Sequence, residues 1–328
     1  MTISPSRALY EKDSPKQWVI HAAFGGMLVL WPLVTGQPRF LLHLAIMVCI
    51  YAVLAMSMNL VLRIGQLSLA HGALFGIGAY ASAILSRDYG FGFFAAFFSA
   101  GLIAAIVALL TGPVLMRLKG VHFALLTFAL AEIIVLCFIE FHEIFGGNNG
   151  FGGIPSLTKT IALVEGRYGA YLICLSFALL TYFGLRALYK REWGMIADSL
   201  HQNESLAISG GLSALSFRVS VFTISSALAG MAGSLFAHYQ GYISPDAFGF
   251  WTAVNAIIMN VLGGAAVLVG AVIGAAILVP LPELLRDLAQ YQQLLYGLTL
   301  MFLLLFLPQG LTGLMEGRKS RRLIREKT

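Results

Sequence analysis

Charge is what this chain has least of: only 11% of its 328 residues are Asp, Glu, Lys or Arg, where a soluble domain carries about 25%. With 59% hydrophobic residues and a mean hydropathy of +0.84, that shortfall excludes an ordinary water-soluble globule and points to a polytopic membrane protein. Cysteine is also scarce. Cys49, Cys137 and Cys174 all fall inside apolar runs, without a C-x-x-C pair or a neighbouring His cluster. They read as packing residues rather than as a disulfide framework or a metal site. The chain has no G-x-x-x-x-G-K-[ST] phosphate loop, no H-E-x-x-H and no G-x-S-x-G. It is therefore expected to bind no nucleotide, cofactor or metal and to break no bond itself. An integral membrane enzyme would need a catalytic constellation that the sequence does not display. No long polar interval separates the apolar runs between residues 18 and 307, so a single membrane domain is expected. The net charge of +6 comes from basic residues between those runs and at the end, a pattern for anionic lipid and not for nucleic acid.

A membrane-spanning helix needs about 20 apolar residues. Eight runs meet this: Trp18 to Val34, Phe40 to Leu62, Leu67 to Leu85, Phe91 to Met116, Val121 to Phe141, Tyr171 to Tyr189, Val219 to Tyr239, and Leu294 to Leu307 extended from Tyr291. Residues 1–17 are polar, and no small-residue cleavage site follows them, which reads as a signal anchor. Arg7, Lys12 and Lys16 place the N-terminus in the cytoplasm. Arg117 with Lys119, then Arg186, Lys190, Arg191 and Arg218, mark later cytoplasmic turns. The turns at Gly36 to Arg39 and Arg87 to Gly90, and a loop over 142–169, then fall outside. Trp251 to Pro282 is long enough for one helix or two short ones. Only two return the basic tail, residues 308–328, to the cytoplasm, and Gly263-Gly264 and Gly270 are the natural places to break the chain. The expected fold is an all-α membrane protein of about ten segments, some short or discontinuous, spanning residues 18–307. Met58-Asn59 and Met259-Asn260, each followed by a glycine-rich stretch, hint at two related halves.

Polar groups without partners cost several kcal/mol in hydrocarbon, so the polar residues inside these runs are the candidates for function. Asn59, Gln66, Ser68 and His71 cluster in the stretch from Asn59 to Tyr80, among Gly72, Gly76 and Gly78. Two readings stand for them: hydrogen bonds between helices that the glycines draw together, or contact with a transported solute. Glu132, near the middle of its run, must be paired, neutral or wet, and His71, Asn59 and Asn255 are its candidate partners. Between Lys190 and Arg218, the residues Ile196, Leu200, Ala207 and Ile208 form an apolar stripe broken by polar residues, the pattern of a short amphipathic helix able to lie in a partner's groove. Gly146, Gly147, Gly150, Gly152 and Gly153 with Asn148 and Asn149 are a composition for tight turns in the outer loop.

Four stretches give these features a likeness. They are Gly65-Gln66-Leu-Ser68-Leu-Ala-His71-Gly72 through Tyr80, Gly146-Gly147-Asn148-Asn149-Gly150 through Pro155, Ala229-Gly230 through Gly233, His238 and Pro245, and Pro308-Gln309-Gly310-Leu311. In that order they resemble the permease subunits of branched-chain amino acid ABC importers, of the LivM type. The resemblance implies a type II importer-like permease in a bacterial inner membrane, with both termini cytoplasmic. It implies as partners a second permease subunit, sister or identical, two ATP-binding cassette ATPase subunits, and an external solute-binding protein that docks on the outer face. The solute is then leucine, isoleucine, valine or a related compound, the family also serving urea, short amides and some aromatic acids. The loop over 190–218 is similar to the segment that docks into the ATPase, with Gly194, Asn203, Glu204 and Gly211 matching. Asp198 and His201 stand where such permeases carry arginines, and Gln202 where they carry Glu. An expectation from a different class is an ion-coupled transporter acting alone, with Glu132 and His71 as a proton relay.

Overall fold

A computed structural model describes residues 39–157, 166–265, 267–285 and 290–306. The expected span Trp18 to Val34, the segments 1–17 and 308–328, Leu307, residues 158–165 of the outer loop and the Pro308 to Leu311 stretch lie outside them.

Five helices among the described residues are long and apolar enough to cross a membrane. They are α1 (Arg39–Arg63), α3 (Phe93–Leu115), α4 (Gly120–Glu140), α5 (Arg167–Tyr189) and α8 (Ala214–Gln240). Between them lie α2 (His71–Arg87) and two short helices, α6 (Glu192–Gln202) and α7 (Glu204–Ser209). After α8 come α9 (Phe250–Gly263), α10 (Leu268–Leu278) and α11 (Gln292–Phe306). At about 1.5 Å per residue, neither α9 nor α10 reaches across a hydrocarbon core of about 30 Å alone. The two are bent against each other by 115° at the break around Gly264, so Trp251 to Pro282 is a broken pair. The break falls at the expected Gly263-Gly264; Gly270 instead lies inside α10, pressed against Gly264.

Other boundaries move for local reasons. Leu67 to Leu85 is not helical from its start: Gly65 adopts φ +76°, which ends α1, and helix resumes only at His71. Gln66 and Ser68 therefore sit on a non-helical joint. Helix α5 begins at Arg167 and so absorbs the last residues of the expected outer loop, while α8 absorbs Arg218. The fold is not purely helical either. Phe151–Gly152 (β1) pairs antiparallel with Tyr242–Ile243 (β2), Phe151 opposite Ile243.

Helix α8 is the centre, packed on α1, α2 and α3. Its small residues allow that: a Cβ at Gly233 would lie 1.9 Å from the Phe75 carbonyl oxygen, and one at Gly78 would lie 2.1 Å from that of Gly230. Backbones in such contact exchange dispersion and weak hydrogen bonds where no hydrophobic effect draws helices together. The expected Gly72 and Gly76 do the same for the segment that leads into α9, against Gly249 and Phe248 respectively, and Gly274 lies against Met259.

Candidate functional site

Because the helices alternate in direction, the bundle has two ends. At one, the joint 64–70, the turn after α3, and α6 with α7 come together. At the other, the glycine-rich segment 146–153 meets β2. The sequence-derived candidates are distributed between these ends and the membrane interior rather than gathered in one pocket.

Asn59, fully buried one turn before the end of α1, donates from Nδ2 to Asn260 Oδ1 (2.9 Å) and to the Ala265 carbonyl (3.0 Å). Its Oδ1 accepts from the Tyr189 hydroxyl at 3.1 Å. Asn260 donates in turn to the carbonyls of Ala55 and Ala256. The two Met-Asn pairs noticed in the sequence thus touch, joining α1 to the break between α9 and α10. His71 is enclosed, its Nε2 2.6 Å from Ser225 Oγ. Ser225 spends its own proton on the Ser57 carbonyl, so His71 must donate from Nε2, leaving Nδ1 as a buried acceptor without a hydrogen-bond partner among the described residues. Gln66 Nε2 donates to the Leu118 carbonyl over a long 3.4 Å, and the buried Ser68 hydroxyl has no hydrogen-bond partner among the described residues.

Glu132 makes no contact with its expected partners. It is half-buried, and among the described residues its carboxylate has neither a hydrogen bond nor an ion pair. It opens into a shallow groove with Leu69, Leu125, Phe128 and Phe250. The relay of Glu132 with His71 is therefore not formed: the histidine is held by Ser225, inside the bundle. Asn255 lies elsewhere, its Oδ1 accepting from the Tyr296 hydroxyl at 3.0 Å, in a cleft shared with His43, Tyr51 and Glu283.

In the loop over 190–218, the expected apolar stripe is mostly turned inward: Leu200, Ala207 and Ala214 form a small core with Ile196, Leu212 and Phe217. Met195, Leu206 and Ile208 are the exposed apolar side chains. The four matched residues have duties within the chain. Gly194 is buried; Asn203 caps α7, its side chain accepting from the Leu206 N–H at 3.1 Å; Gly211 takes φ +88° in the turn to α8. Glu204 is gripped by Arg218, whose Nη2 lies 2.8 Å from Oε2, and by Lys119 from the turn after α3. Burial alone would raise its pKa, but hydrogen bonds from Lys119 and Arg218 outweigh that and hold the carboxyl below its ordinary 4.5.

For several other residues the sequence did not name the partner. Asp198 pairs with Arg63, at 2.8 Å from Oδ1 to Nε and 3.0 Å from Oδ2 to Nη2. At the opposite end, His238 Nδ1 donates to the Pro155 carbonyl at 2.8 Å while Nε2 accepts from Ser82 at 2.8 Å, tying segment 154–157 to α2 and α8. These partners are far apart in sequence, and only the packed helices bring them together.

The match to known proteins runs through this whole arrangement. Residues 40–307 fit the family model described as the permease component of the branched-chain amino acid transport system. The chain is 32% identical over 320 residues to the high-affinity branched-chain amino acid transport system permease protein LivM of Salmonella typhimurium, covering 90% of this chain and 75% of the relative, and equally to that of Escherichia coli. A probable branched-chain amino acid transport permease of Methanocaldococcus jannaschii is 24% identical over 234 residues, 64% of this chain and 66% of its own length. No solved structure matches the chain. A polytopic helical bundle with a broken helix pair, matched from the start of α1 to the end of α11 by a single family model, belongs to the branched-chain amino acid transport permease family.

Proposed function

We propose that this chain is the membrane subunit of an ATP-driven importer of branched-chain or related amino acids in a bacterial inner membrane, with both termini cytoplasmic and about ten membrane segments, some short or discontinuous. In this reading two permease subunits, sister or identical, flank the path. Two ATPase subunits engage the 190–218 loop, and an external binding protein delivers the solute to the 142–169 side. Family membership supports the permease role. The observation that carries the position of the path is Glu132. Helix α4 is the least enclosed of the spanning helices, 22% buried in its apolar stretch against 61% for α8. A carboxylate without a polar partner at that depth costs at least about 2.5 kcal/mol against lipid, so this face belongs against a second permease and water. Glu132 then lies at the rim of the path, with Leu69, Phe128 and Phe250 as its apolar wall. Gln66, His71 and Asn59 act behind that wall, by holding the elements that form it, with Ser68 buried on the joint beside them and Asn255 holding α9 to α11 in a separate cleft. On the cytoplasmic face, Met195, Leu206 and Ile208 are the contacts offered to the ATPase, while Gly194, Asn203, Glu204 and Gly211 shape the loop that presents them.

The test is uptake of radiolabelled leucine into proteoliposomes. The chain is expected to transport only with its ATPase subunits, partner permease and binding protein present, and ATP-independent uptake by the chain alone would sink the importer reading. Glu132→Gln should lower uptake about tenfold or more while the protein still inserts and assembles; unchanged uptake would remove the carboxylate from the path.

A further inference from the structure

The end of the bundle near α6 contains a continuous set of directed contacts that leads from the loop into the break between α9 and α10. Asp198, on α6, holds the Arg63 guanidinium with two parallel hydrogen bonds, at 2.8 and 3.0 Å. The Arg63 side chain is 7% exposed, so the pair sits largely out of water, where paired charges are tightly held and costly to separate. The same guanidinium lies over the Tyr189 ring, 4.2 Å from its centre. The Tyr189 hydroxyl donates to Asn59 Oδ1 at 3.1 Å, and Asn59 Nδ2 donates to the Ala265 carbonyl, in the break itself, and to Asn260 on α9. Beside this path, His201 of α6 covers Gly65, where any side chain would strike its ring.

We propose that Arg63, Tyr189 and Asn59 form a linkage that delivers displacement of α6 to the break between α9 and α10. The inference rests on the importer reading, in which α6 is what the ATPase subunits move. Three features argue for it beyond simple packing. The outer contacts are hydrogen bonds between largely buried groups and the middle one seats the guanidinium on the Tyr189 ring, so displacing one member disturbs the next out of reach of water. The contacts end on a backbone carbonyl at a chain break, where a small displacement can reorient two short helices instead of bending one continuous one. The input residue, Asp198, lies on a short helix that meets the bundle through Ala197, Leu200 and Trp193, and its two hydrogen bonds with Arg63 fix that helix to the end of α1. Arg63, Tyr189 and Asn59 are positioning residues: they act through the broken pair and need touch no solute.

The experiment uses the complete complex in proteoliposomes and reads leucine transported per ATP hydrolysed, together with retention of the ATPase subunits on purification. Tyr189→Phe keeps the ring beneath Arg63 and removes only the hydroxyl link to Asn59. Arg63→Lys keeps the charge and removes the planar fork. Both are expected to retain the ATPase subunits, to keep hydrolysing ATP, and to lower the ratio about fivefold or more, the range of a modest coupling between sites. A wild-type ratio in both variants overturns the linkage. So does loss of the ATPase subunits, which would reduce these residues to holding the loop in shape. If the unaltered complex shows no ATP-dependent uptake, the importer reading falls and takes the linkage with it; an ATP-dependent wild type with unaltered variants refutes the linkage alone.

Discussion

The two ends of this bundle are fastened by different chemistry. At the end formed by 64–70, the turn after α3 and α6 with α7, side-chain charges do the fastening: Arg63 with Asp198, and Arg218 and Lys119 with Glu204. At the other, the fastening contacts run to backbone carbonyls and to a short backbone ladder. β1 pairs with β2, Arg87 Nη1 donates to the Gly152 carbonyl at 3.1 Å, and the Tyr242 hydroxyl donates to that of Asn149 at 2.9 Å. Charge pairs link long, repositionable side chains and tolerate some sliding, whereas a backbone ladder threaded through glycines holds one geometry. An end that transmits motion is suited by the first, and an end that presents a fixed receiving surface by the second.

The largest expected break in this contrast is Asp198→Ala. It leaves a buried guanidinium without its carboxylate and should cost about 3 kcal/mol, read as loss of folded protein on heating in detergent; a loss no greater than that of an exposed Asp→Ala would show the pair to be dispensable. At the opposite end, Gly150 has φ +72°, and a Cβ there would lie 2.4 Å from the Tyr242 hydroxyl oxygen. Gly150→Ala should therefore cost about 2 kcal/mol from backbone strain and displacement of that tyrosine, in the same measurement, while Gly90→Ala, also at positive φ but in open space, should cost less.

Acid sharpens the contrast further. Since the folded pKa of Glu204 is depressed, its stabilisation is fully present above the ordinary carboxylate value and is lost as pH falls through the lower folded value. Heat stability of the wild type should decline relative to Glu204→Gln below about pH 4.5, and parallel profiles down to pH 3 would contradict the clamp. The smallest effect expected is that of Asn203→Ala, about 1 kcal/mol for the lost cap of α7, visible as faster proteolysis within 203–211 with little change in global stability.

Much of the fold was legible because hydrocarbon imposes a length and composition on anything that crosses it. The runs from Phe40, Phe91, Val121, Tyr171 and Val219 all became helices, and topology alone called for two elements between Trp251 and Pro282. The candidate site was less legible. Asn59, His71 and Gln66 were rightly singled out as polar residues that need partners, but the partners, Asn260, Ser225 and the Leu118 carbonyl, come from elements far away in the chain. The stripe through Leu200 and Ala207 faced inward because two short helices, divided at Asn203, fold onto the start of α8 instead of forming one amphipathic rod.

What the sequence determined by itself was therefore the membrane, the approximate spans, the glycines that permit close approach, and the family, since each depends on composition and local order. Tertiary structure alone decided which polar side chain meets which, that Glu132 is left facing outward, and that Asp198 takes its arginine from α1. Those outcomes depend on directional contacts of about 3 Å between residues more than a hundred positions apart, and no pattern along the chain encodes such distances until the helices are packed.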